Sequence, residues 1–303
     1  MSLQTIINSR FGIGLILTVG KLIPPPVGYK LADWVAHLLS ARKTSPMVQS
    51  VRANQWVVSG AKLSVQELDE QVYKTIRCVA RILYDFYHTI NDYDAILKRV
   101  TLSPKLVGLL ENRLGGSEGT LMVAPHLSNF DLAGRAMALN GYKIQALSYP
   151  QPRGGYQWQN QLRRDIGIDI TPMSTESMRQ AKSRLQEGGG VITGLERPLP
   201  STNYYPKFFG HPAPVPVSYV RMALQTKSAV IVVACVGTPQ ENYLLECSDL
   251  IYMKPHENAV KEIEHNAEKV LAAAEPFIRA HPEQWAMFYP VWPQILKDMS
   301  QRP

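Results

Sequence analysis

Residues 114–142 read "LGGSEGTLMVAPHLSNFDLAGRAMALNGY", and in this stretch the chain changes from helical patterns to alternating strands and helices. A glycine-rich turn leads into a short apolar run, which predicts a buried strand over residues 120–124. The polar residues after it predict a loop. LAGRAMALNGY then predicts a helix that ends at Gly141, because glycine readily adopts the backbone conformation that terminates helices. A strand, a loop and a helix in this order indicate the first unit of an α/β sheet.

The same alternation continues towards the C-terminus. Helices are predicted in the first half of QWQNQLRRDIGIDITP, over 175–187, over 216–227 and over 257–275, and Pro276 is expected to kink or restart the last one. Strands are predicted in KIQALSY, at the end of GIDITP, in VITGL, in AVIVVACVG and in NYLLEC. We therefore predict an α/β fold in which a mixed, mostly parallel β-sheet is flanked by helices.

The first hundred residues are predicted to be helical. Ser64 and Glu67 have the spacing of a capping box, and apolar side chains recur at intervals of three and four residues from Val72 to Ile90. This periodicity predicts one long amphipathic helix. We expect a helical N-terminal segment over residues 1–62 and an α/β domain over residues 63–303, onto which the N-terminal helices pack.

Composition narrows the class of protein. The chain has 303 residues, of which 45% are hydrophobic, so it can bury a large core. Its three cysteines, Cys78, Cys235 and Cys247, form no C-x-x-C pair. This spacing predicts neither a disulfide framework nor a zinc site and fits a reducing compartment.

The net charge of +7 is concentrated in residues 1–62, where Asp33 is the only acidic residue. Such an excess suits nucleic acid or an anionic membrane surface, and the chain has no pattern typical of nucleic-acid binding. The apolar run FGIGLILTVG (11–20) is too short to span a bilayer unaided. LADWVAHLLSARK (31–43) again combines apolar residues, a tryptophan and basic residues. Either segment could be an interfacial helix or a buried one, and we expect peripheral contact with a membrane.

His126 and Asp131 occupy positions where an α/β sheet carries its chemistry. His126 directly follows a predicted strand and Asp131 opens the next helix, while Glu196 likewise follows a strand. A histidine with a carboxylate beside it can act as a general base. No G-x-S-x-G elbow supplies an enzyme nucleophile, which favours direct attack by a substrate hydroxyl. A structural loop histidine and a helix-capping carboxylate are the alternative.

The sequence around this pair, PHLSNFDLAG, resembles the H-x4-D/E block of the glycerolipid and lysophospholipid acyltransferase superfamily. It is most similar to the bacterial branch of lipid A and phosphatidylinositol mannoside acyltransferases. Further blocks resemble that branch in the same order, namely VRANQWVVSG before it, and QLRRDIGIDITP, LQEGGGVITGLERP, FFGHPAPVPVSYVRMALQTKSAVIVV and HPEQWAMFYPVWP after it. The resemblance covers nearly the whole chain.

This resemblance implies an enzyme that moves a fatty acyl chain from acyl-CoA or acyl carrier protein to a hydroxyl of a glycolipid or phospholipid. His126 would be the general base and Asp131 its orienting carboxylate. The resemblance also implies residues that contact a phosphate, a headgroup or the acceptor hydroxyl of the substrates. They are Asn129, Arg163, Arg164, Glu196 and Lys207. The family needs no metal or prosthetic group, and the resemblance places the protein peripherally on the cytoplasmic face of the inner membrane, with no nucleic-acid partner.

Two other functions are compatible with these motifs. A thioesterase would use water in place of the acceptor hydroxyl, and a lipid-binding protein could keep the fold without catalysis. The retained histidine and carboxylate favour catalysis, because binding alone does not require a base.

Overall fold

The computed structural model describes residues 20, 22–150, 155–165, 168–199, 201–240 and 242–300, and the statements below concern these residues. The helices are α1 (Pro25–Ser40), α2 (Pro46–Val58), α3 (Val65–Thr89), α4 (Tyr93–Arg99), α5 (Pro104–Arg113), α6 (Phe130–Leu139), α7 (Gly155–Arg164), α8 (Thr175–Gln186), α9 (Ser218–Thr226), α10 (Ala259–Ala280) and α11 (Pro293–Ser300). A short 3-10 helix covers Pro282–Gln284.

The strands are β1 (Val100–Leu102), β2 (Thr120–Ala124), β3 (Ile144–Ser148), β4 (Asp169–Pro172), β5 (Gly190–Gly194), β6 (Lys207–Phe208), β7 (His211–Pro212), β8 (Ala229–Gly237) and β9 (Tyr243–Cys247). Seven of them form one sheet in the order β1-β9-β8-β2-β5-β3-β4, and β6 and β7 form a separate hairpin. Only the β8–β9 pairing within the large sheet is antiparallel. The predicted mixed, mostly parallel sheet is confirmed, and the short edge strand β1 is added to it.

Helices cover both faces of the sheet, and the central strand β2 shows how the faces divide. Leu121 and Val123 pack with α9 and α10, while Met122 between them packs with α5 and α6 on the other face. Alternate side chains of a strand point to opposite faces. Strand β2 is therefore apolar on both faces and is buried between two helical layers. Its end, and the loop that follows, lie at the centre of one edge of the sheet.

Helix α10 continues through Pro276 to Ala280, so the predicted restart at this proline does not occur. Proline removes one backbone hydrogen bond from a helix. Residues on both sides of it pack against the main core, including Leu271, Ala274 and Ile278, which are fully buried. Burial of this apolar face offsets the missing hydrogen bond and keeps the helix continuous.

The N-terminal helices pack on α3, which begins with the predicted capping box of Ser64 and Glu67. Asp33 of α1 forms ion pairs with Arg77 and Arg81 of α3. The pKa of Asp33 is lowered to about 2, mainly because its carboxylate accepts a hydrogen bond from Arg81. Gly28 lets the ring of Tyr84 lie directly against α1, where a Cβ would overlap it. These contacts fix one face of α1 to the rest of the protein.

The opposite face of α1 carries large apolar side chains that are exposed. Val27, Leu31, Trp34 and Leu38 follow one another at intervals of three and four residues and are 44% to 59% accessible. Of the two N-terminal segments considered above, LADWVAHLLSARK thus presents an apolar stripe to solvent, while FGIGLILTVG, apart from Gly20, lies outside the described residues. None of the helices described here is long and apolar enough to cross a membrane.

Candidate active site

His126 lies in the loop between β2 and α6, at the carboxyl ends of the parallel strands β8, β2 and β5. The loop is paired with the segment after the 3-10 helix, through an antiparallel bridge between Leu127 and Trp285. The His126 carbonyl accepts a hydrogen bond from the amide of Ala286 over 2.8 Å. The ring of Phe130 meets the imidazole edge-on, with centroids 5.2 Å apart. The histidine is therefore held from its backbone and from one side of its ring.

Glu196 is the carboxylate that contacts the imidazole. It follows β5, the neighbour of β2, and its side chain is fully buried. Its Oε1 lies 3.2 Å from His126 Nδ1 and accepts hydrogen bonds from the His126 amide over 2.6 Å and from Trp285 Nε1 over 3.0 Å. Burial alone would raise the pKa of Glu196, but attraction to the imidazole in its protonated form and these hydrogen bonds outweigh burial and lower the pKa below its usual value.

This contact determines which ring nitrogen can serve a substrate. With Nδ1–H assigned as the donor to Glu196, the lone pair of the neutral ring lies on Nε2. The imidazole lines an open cavity and its side chain is 29% accessible. Nε2 is therefore the basic nitrogen available to a bound molecule.

Asp131 is not paired with His126 in the structure, which corrects the assignment made from the sequence. Asp131 Oδ1 instead accepts hydrogen bonds from Arg163, with 2.7 Å to Nε and a second contact to Nη2. Arg163 Nη1 also donates to Asn160 Oδ1 over 2.9 Å. The reason is positional: Asp131 is in the first turn of α6 and contacts Arg163 of α7, whereas Glu196 follows β5, the strand beside β2.

The remaining candidates separate into two groups. Asp131 and Arg163 line the same cavity as His126, so the structure brings these three together. Asn129, Arg164 and Lys207 are not among the described lining residues. Asn129 is buried and caps α6 by accepting from the Leu132 amide, Arg164 Nε donates to the Ile170 carbonyl, and the side chain of Lys207 is exposed on β6. The substrate contacts expected of these three residues stay predictions.

The cavity has a volume of about 840 Å³ and combines an apolar interior with polar residues near its opening. The apolar part runs between α6 and β3, and its lining includes Gly134, Met137, Ala138, Tyr142, Ile144, Ala146, Ile168, Ile170 and Ile192. The exposed members of the lining, which mark where the cavity opens, are Tyr149, Pro150, Leu199, Arg221 and Tyr289. A long apolar chain can occupy the interior while a polar group remains at the opening.

Two residues of the closing block, Gln284 and Trp285, support the site and were given no role from the sequence. Gln284 accepts from the Gly237 amide over 2.7 Å and donates to the Gly237 carbonyl over 3.1 Å. Its own carbonyl accepts from the amide of Ser128, a residue held at a φ of 51° in the histidine loop. The block thus ties β8, the histidine loop and Glu196 together. The sequence of this block drew attention because it resembles a family motif, but its contacts with Gly237, Ser128 and Glu196 are visible only in the folded structure.

Replacing Trp285 with Phe is expected to lower kcat by about tenfold, because one charge-assisted hydrogen bond to Glu196 is lost. Without this donor the pKa of Glu196 rises, so the acid limb of the pH profile is expected to move to higher pH. Trp292→Phe is the matched control, because Trp292 is buried in the same aromatic cluster and its Nε1 has no hydrogen-bond partner among the described residues. Equal pH profiles for the two variants would contradict a role for the indole N–H.

Chemically, the arrangement offers a base on a buried carboxylate, next to an apolar cavity. No group of three or more His, Cys, Asp or Glu side chains that could hold a metal occurs in the described part of the chain. Because the imidazole of His126 lines the cavity and contacts a buried carboxylate, it can transfer a proton to or from a bound hydroxyl or water.

The chain is similar in sequence to known acyltransferases. The profile of the bacterial lipid A biosynthesis acyltransferases matches residues 3–294. Phosphatidylinositol mannoside acyltransferases from the H37Rv and CDC 1551 strains of Mycobacterium tuberculosis are 26% identical over 204 residues, covering 63% of this chain and 59% of each relative. This chain thus matches less than two thirds of their length. The solved 1-acyl-sn-glycerophosphate acyltransferase PlsC from Thermotoga maritima is 14% identical, with a TM-score of 0.37 over 84% of this chain and 98% of that one.

Proposed function

Because the chain belongs to the family of bacterial lipid A biosynthesis acyltransferases, we propose that it transfers a fatty acyl chain from an acyl thioester to a hydroxyl group of a glycolipid or phospholipid. The donor would be acyl-CoA or acyl carrier protein. The observation that carries the proposal is the contact of His126 with buried Glu196 on the wall of an apolar cavity. A phosphatidylinositol mannoside is one candidate acceptor, by similarity to the mycobacterial relatives.

In the proposed reaction Glu196 accepts a hydrogen bond from the N–H group at Nδ1 of His126. Nε2 of the same ring removes the proton of the acceptor hydroxyl. The acceptor oxygen then attacks the thioester carbonyl and forms a tetrahedral intermediate. Its collapse restores the carbonyl of the new ester and breaks the carbon–sulfur bond, and Nε2 returns the proton to the departing thiolate. Glu196 stabilises the imidazolium present between these two proton transfers.

Asp131 and Arg163 act as positioning residues in this proposal. Their ion pair joins the first turn of α6 to α7 on two sides of the cavity. Since Asp131 neutralises Arg163, the pair stabilises the shape of the cavity wall without adding net charge.

The apolar interior supports an acyl substrate. The volume of the whole cavity, about 840 Å³, lies within the range of about 300–1,000 Å³ that is typical of ligand pockets. The bound chain would lie between α6 and β3, with its carbonyl carbon near His126 at the ends of the strands.

We also propose that the protein docks peripherally on an anionic membrane, at the cytoplasmic face of the inner membrane, where lipid acceptors are found. The exposed apolar stripe of α1 (Val27, Leu31, Trp34 and Leu38) would enter the interface, and the exposed Lys30 and Arg42 would meet anionic headgroups. The helix is already fixed to α3 through its other face, so docking would orient the whole protein.

The double substitution Leu31→Glu/Trp34→Glu is expected to weaken binding to phosphatidylglycerol-containing vesicles at least tenfold, because each large apolar side chain contributes about 1.5–3 kcal/mol when buried. Co-sedimentation measures this effect. Val65→Glu is the matched control, because Val65 is also exposed and apolar but lies at the start of α3. Unchanged sedimentation of the double variant would exclude the α1 stripe as the membrane contact.

The cellular test of the function is mass spectrometry of the lipids of cells that lack the gene. The proposal predicts that one lipid species loses one acyl chain and that a copy of the gene restores it. An unchanged acyl composition of the lipids would contradict the proposal.

A further inference from the structure

Two positive charges in the cavity have no acidic partner among the described residues. The charged lining residues are Asp131 and the arginines Arg163, Arg197 and Arg221, besides His126. Arg163 is neutralised by Asp131. Neither Arg197 nor Arg221 takes part in an ion pair within the described ranges, so the lining carries two uncompensated guanidinium groups.

Arg197 is held by two tyrosines from other loops. Its Cζ lies 4.4 Å from the ring centroid of Tyr289 and 5.0 Å from that of Tyr149. Its Nη2 donates a hydrogen bond to the Tyr289 hydroxyl over 2.9 Å. Aromatic rings orient a guanidinium group without neutralising its charge. The residue is therefore positioned at the opening, and its remaining N–H groups can serve a ligand.

Arg221, in the first turn of α9, is held in the same way. Its Cζ lies 5.2 Å from the ring centroid of Tyr204, and its Nη2 is hydrogen-bonded to the hydroxyl of the same tyrosine. Arg197 and Arg221 are below called the tyrosine-held arginines. They come from different elements and line one cavity, so a single bound molecule can contact both.

Of the four other arginines described as stacking on aromatic rings, Arg81, Arg99 and Arg279 also have a carboxylate partner. The fourth, the buried Arg135, donates instead to two backbone carbonyls. Arg99 lies over Tyr243 and pairs with Asp85 at 3.0 Å between Nη2 and Oδ2. Arg279 lies over Phe209 and pairs with Glu275 at 3.4 Å. Arg197 and Arg221 have neither a carboxylate nor a backbone carbonyl as a described hydrogen-bond partner, so a ligand can supply the counter-charge.

We propose that the tyrosine-held arginines form an anion subsite for a phosphate group of the bound amphiphile. The inference rests on the proposed function and adds to it the recognition of the charged part of a substrate. A planar guanidinium group with several donors matches the oxygens of a phosphate. The apolar interior would hold the acyl chain while the phosphate stays at the opening. That phosphate can belong to the donor, in coenzyme A or phosphopantetheine, or to the phosphodiester of a lipid acceptor.

Binding of unreactive probes tests the subsite separately from catalysis. Calorimetry compares S-dodecyl coenzyme A with S-dodecyl pantetheine, which has the same chain but no phosphate. Nanodiscs that contain phosphatidylinositol, whose phosphodiester carries a net negative charge, are compared with nanodiscs of phosphatidylcholine alone, whose phosphodiester is offset by the choline cation. The proteins are wild type, Arg197→Gln/Arg221→Gln and, as the control for net charge, Arg179→Gln/Lys261→Gln, which removes two exposed positive charges outside the cavity. Thermal unfolding of each variant verifies the fold, and Arg197→Lys/Arg221→Lys keeps the charge.

If the phosphate is that of the donor, the Gln double variant binds S-dodecyl coenzyme A at least about tenfold more weakly for each arginine removed. The same variant then binds S-dodecyl pantetheine with the affinity of wild type. If it is that of the acceptor, only the preference for phosphatidylinositol is lost. The Lys variant is expected to be intermediate. Wild-type binding of all probes by the Gln variant would overturn the subsite. Tight probe binding without acyl transfer would instead contradict the proposed function and leave the subsite intact.

Discussion

Glu196→Gln is expected to lower kcat for acyl transfer by about 10³–10⁴-fold while leaving the fold unchanged. The amide oxygen of glutamine can accept the same hydrogen bonds from the His126 amide, from Nδ1 and from Trp285 that Oε1 accepts now. The substitution therefore removes the charge and keeps the geometry. A neutral partner no longer stabilises the imidazolium that forms when His126 takes a proton, and losses of this size follow such a change in serine hydrolases.

The comparison with Asp131→Asn distinguishes the two carboxylates. Asp131 contacts Arg163 and not His126, so this variant is expected to lose about tenfold or less. His126→Ala should abolish transfer, and His265→Ala, which alters an exposed histidine of α10, should not change it. A loss for Asp131→Asn as large as that for Glu196→Gln would show that the pairing seen here is not the one used in catalysis.

Gly134→Leu is expected to shorten the acyl chain that the protein accepts. A Cβ at Gly134 would meet only Ile168 Cδ1, at 3.9 Å, so the backbone tolerates a side chain there. The leucine would then occupy the apolar cavity between α6 and β3. We expect kcat/KM for a 16-carbon donor to fall on the order of 100-fold, with less than about a threefold change for a 4-carbon donor.

Gly108→Leu is the matched control for this prediction. Gly108 is also a helical glycine, in α5, with no atom within 4 Å of the position of a Cβ, and it is not among the cavity residues. This variant should keep the chain-length preference of wild type. Equal losses for the long and short donors in Gly134→Leu would contradict the assignment of the cavity interior to the acyl chain.

Much of the fold follows from patterns in the sequence that act over short distances. AVIVVACVG and TLMVA are apolar on both faces, which only a buried central strand accommodates, and both are strands of the sheet. Glycine and capping residues set the helix ends, as the capping box at Ser64 illustrates. The three-residue strand β1 was missed because Val100–Leu102 is too short to show a periodicity, and it exists through its pairing with β9.

The site was only partly predictable, because its contacts depend on which strands are neighbours. His126 could be placed at a strand end from its local sequence, and Asp131 was the obvious partner at five residues' distance. The actual partner, Glu196, is adjacent because β5 pairs with β2, which no local pattern determines. Trp285 reaches the same carboxylate from the far end of the chain. The backbone amide of Lys207 donates to Glu268 of α10, and the predicted contact of its side chain with substrate stays a prediction.

Esterification of a lipid hydroxyl by this protein can be followed by mass spectrometry of a reconstituted reaction. Purified protein is incubated with an isotope-labelled dodecanoyl thioester and a glycolipid acceptor such as a phosphatidylinositol mannoside. The proposal predicts an acceptor heavier by one labelled acyl group, formed by wild type and absent with His126→Ala. Recovery of the label only as free fatty acid, at a rate independent of the acceptor, would contradict it and identify a thioesterase.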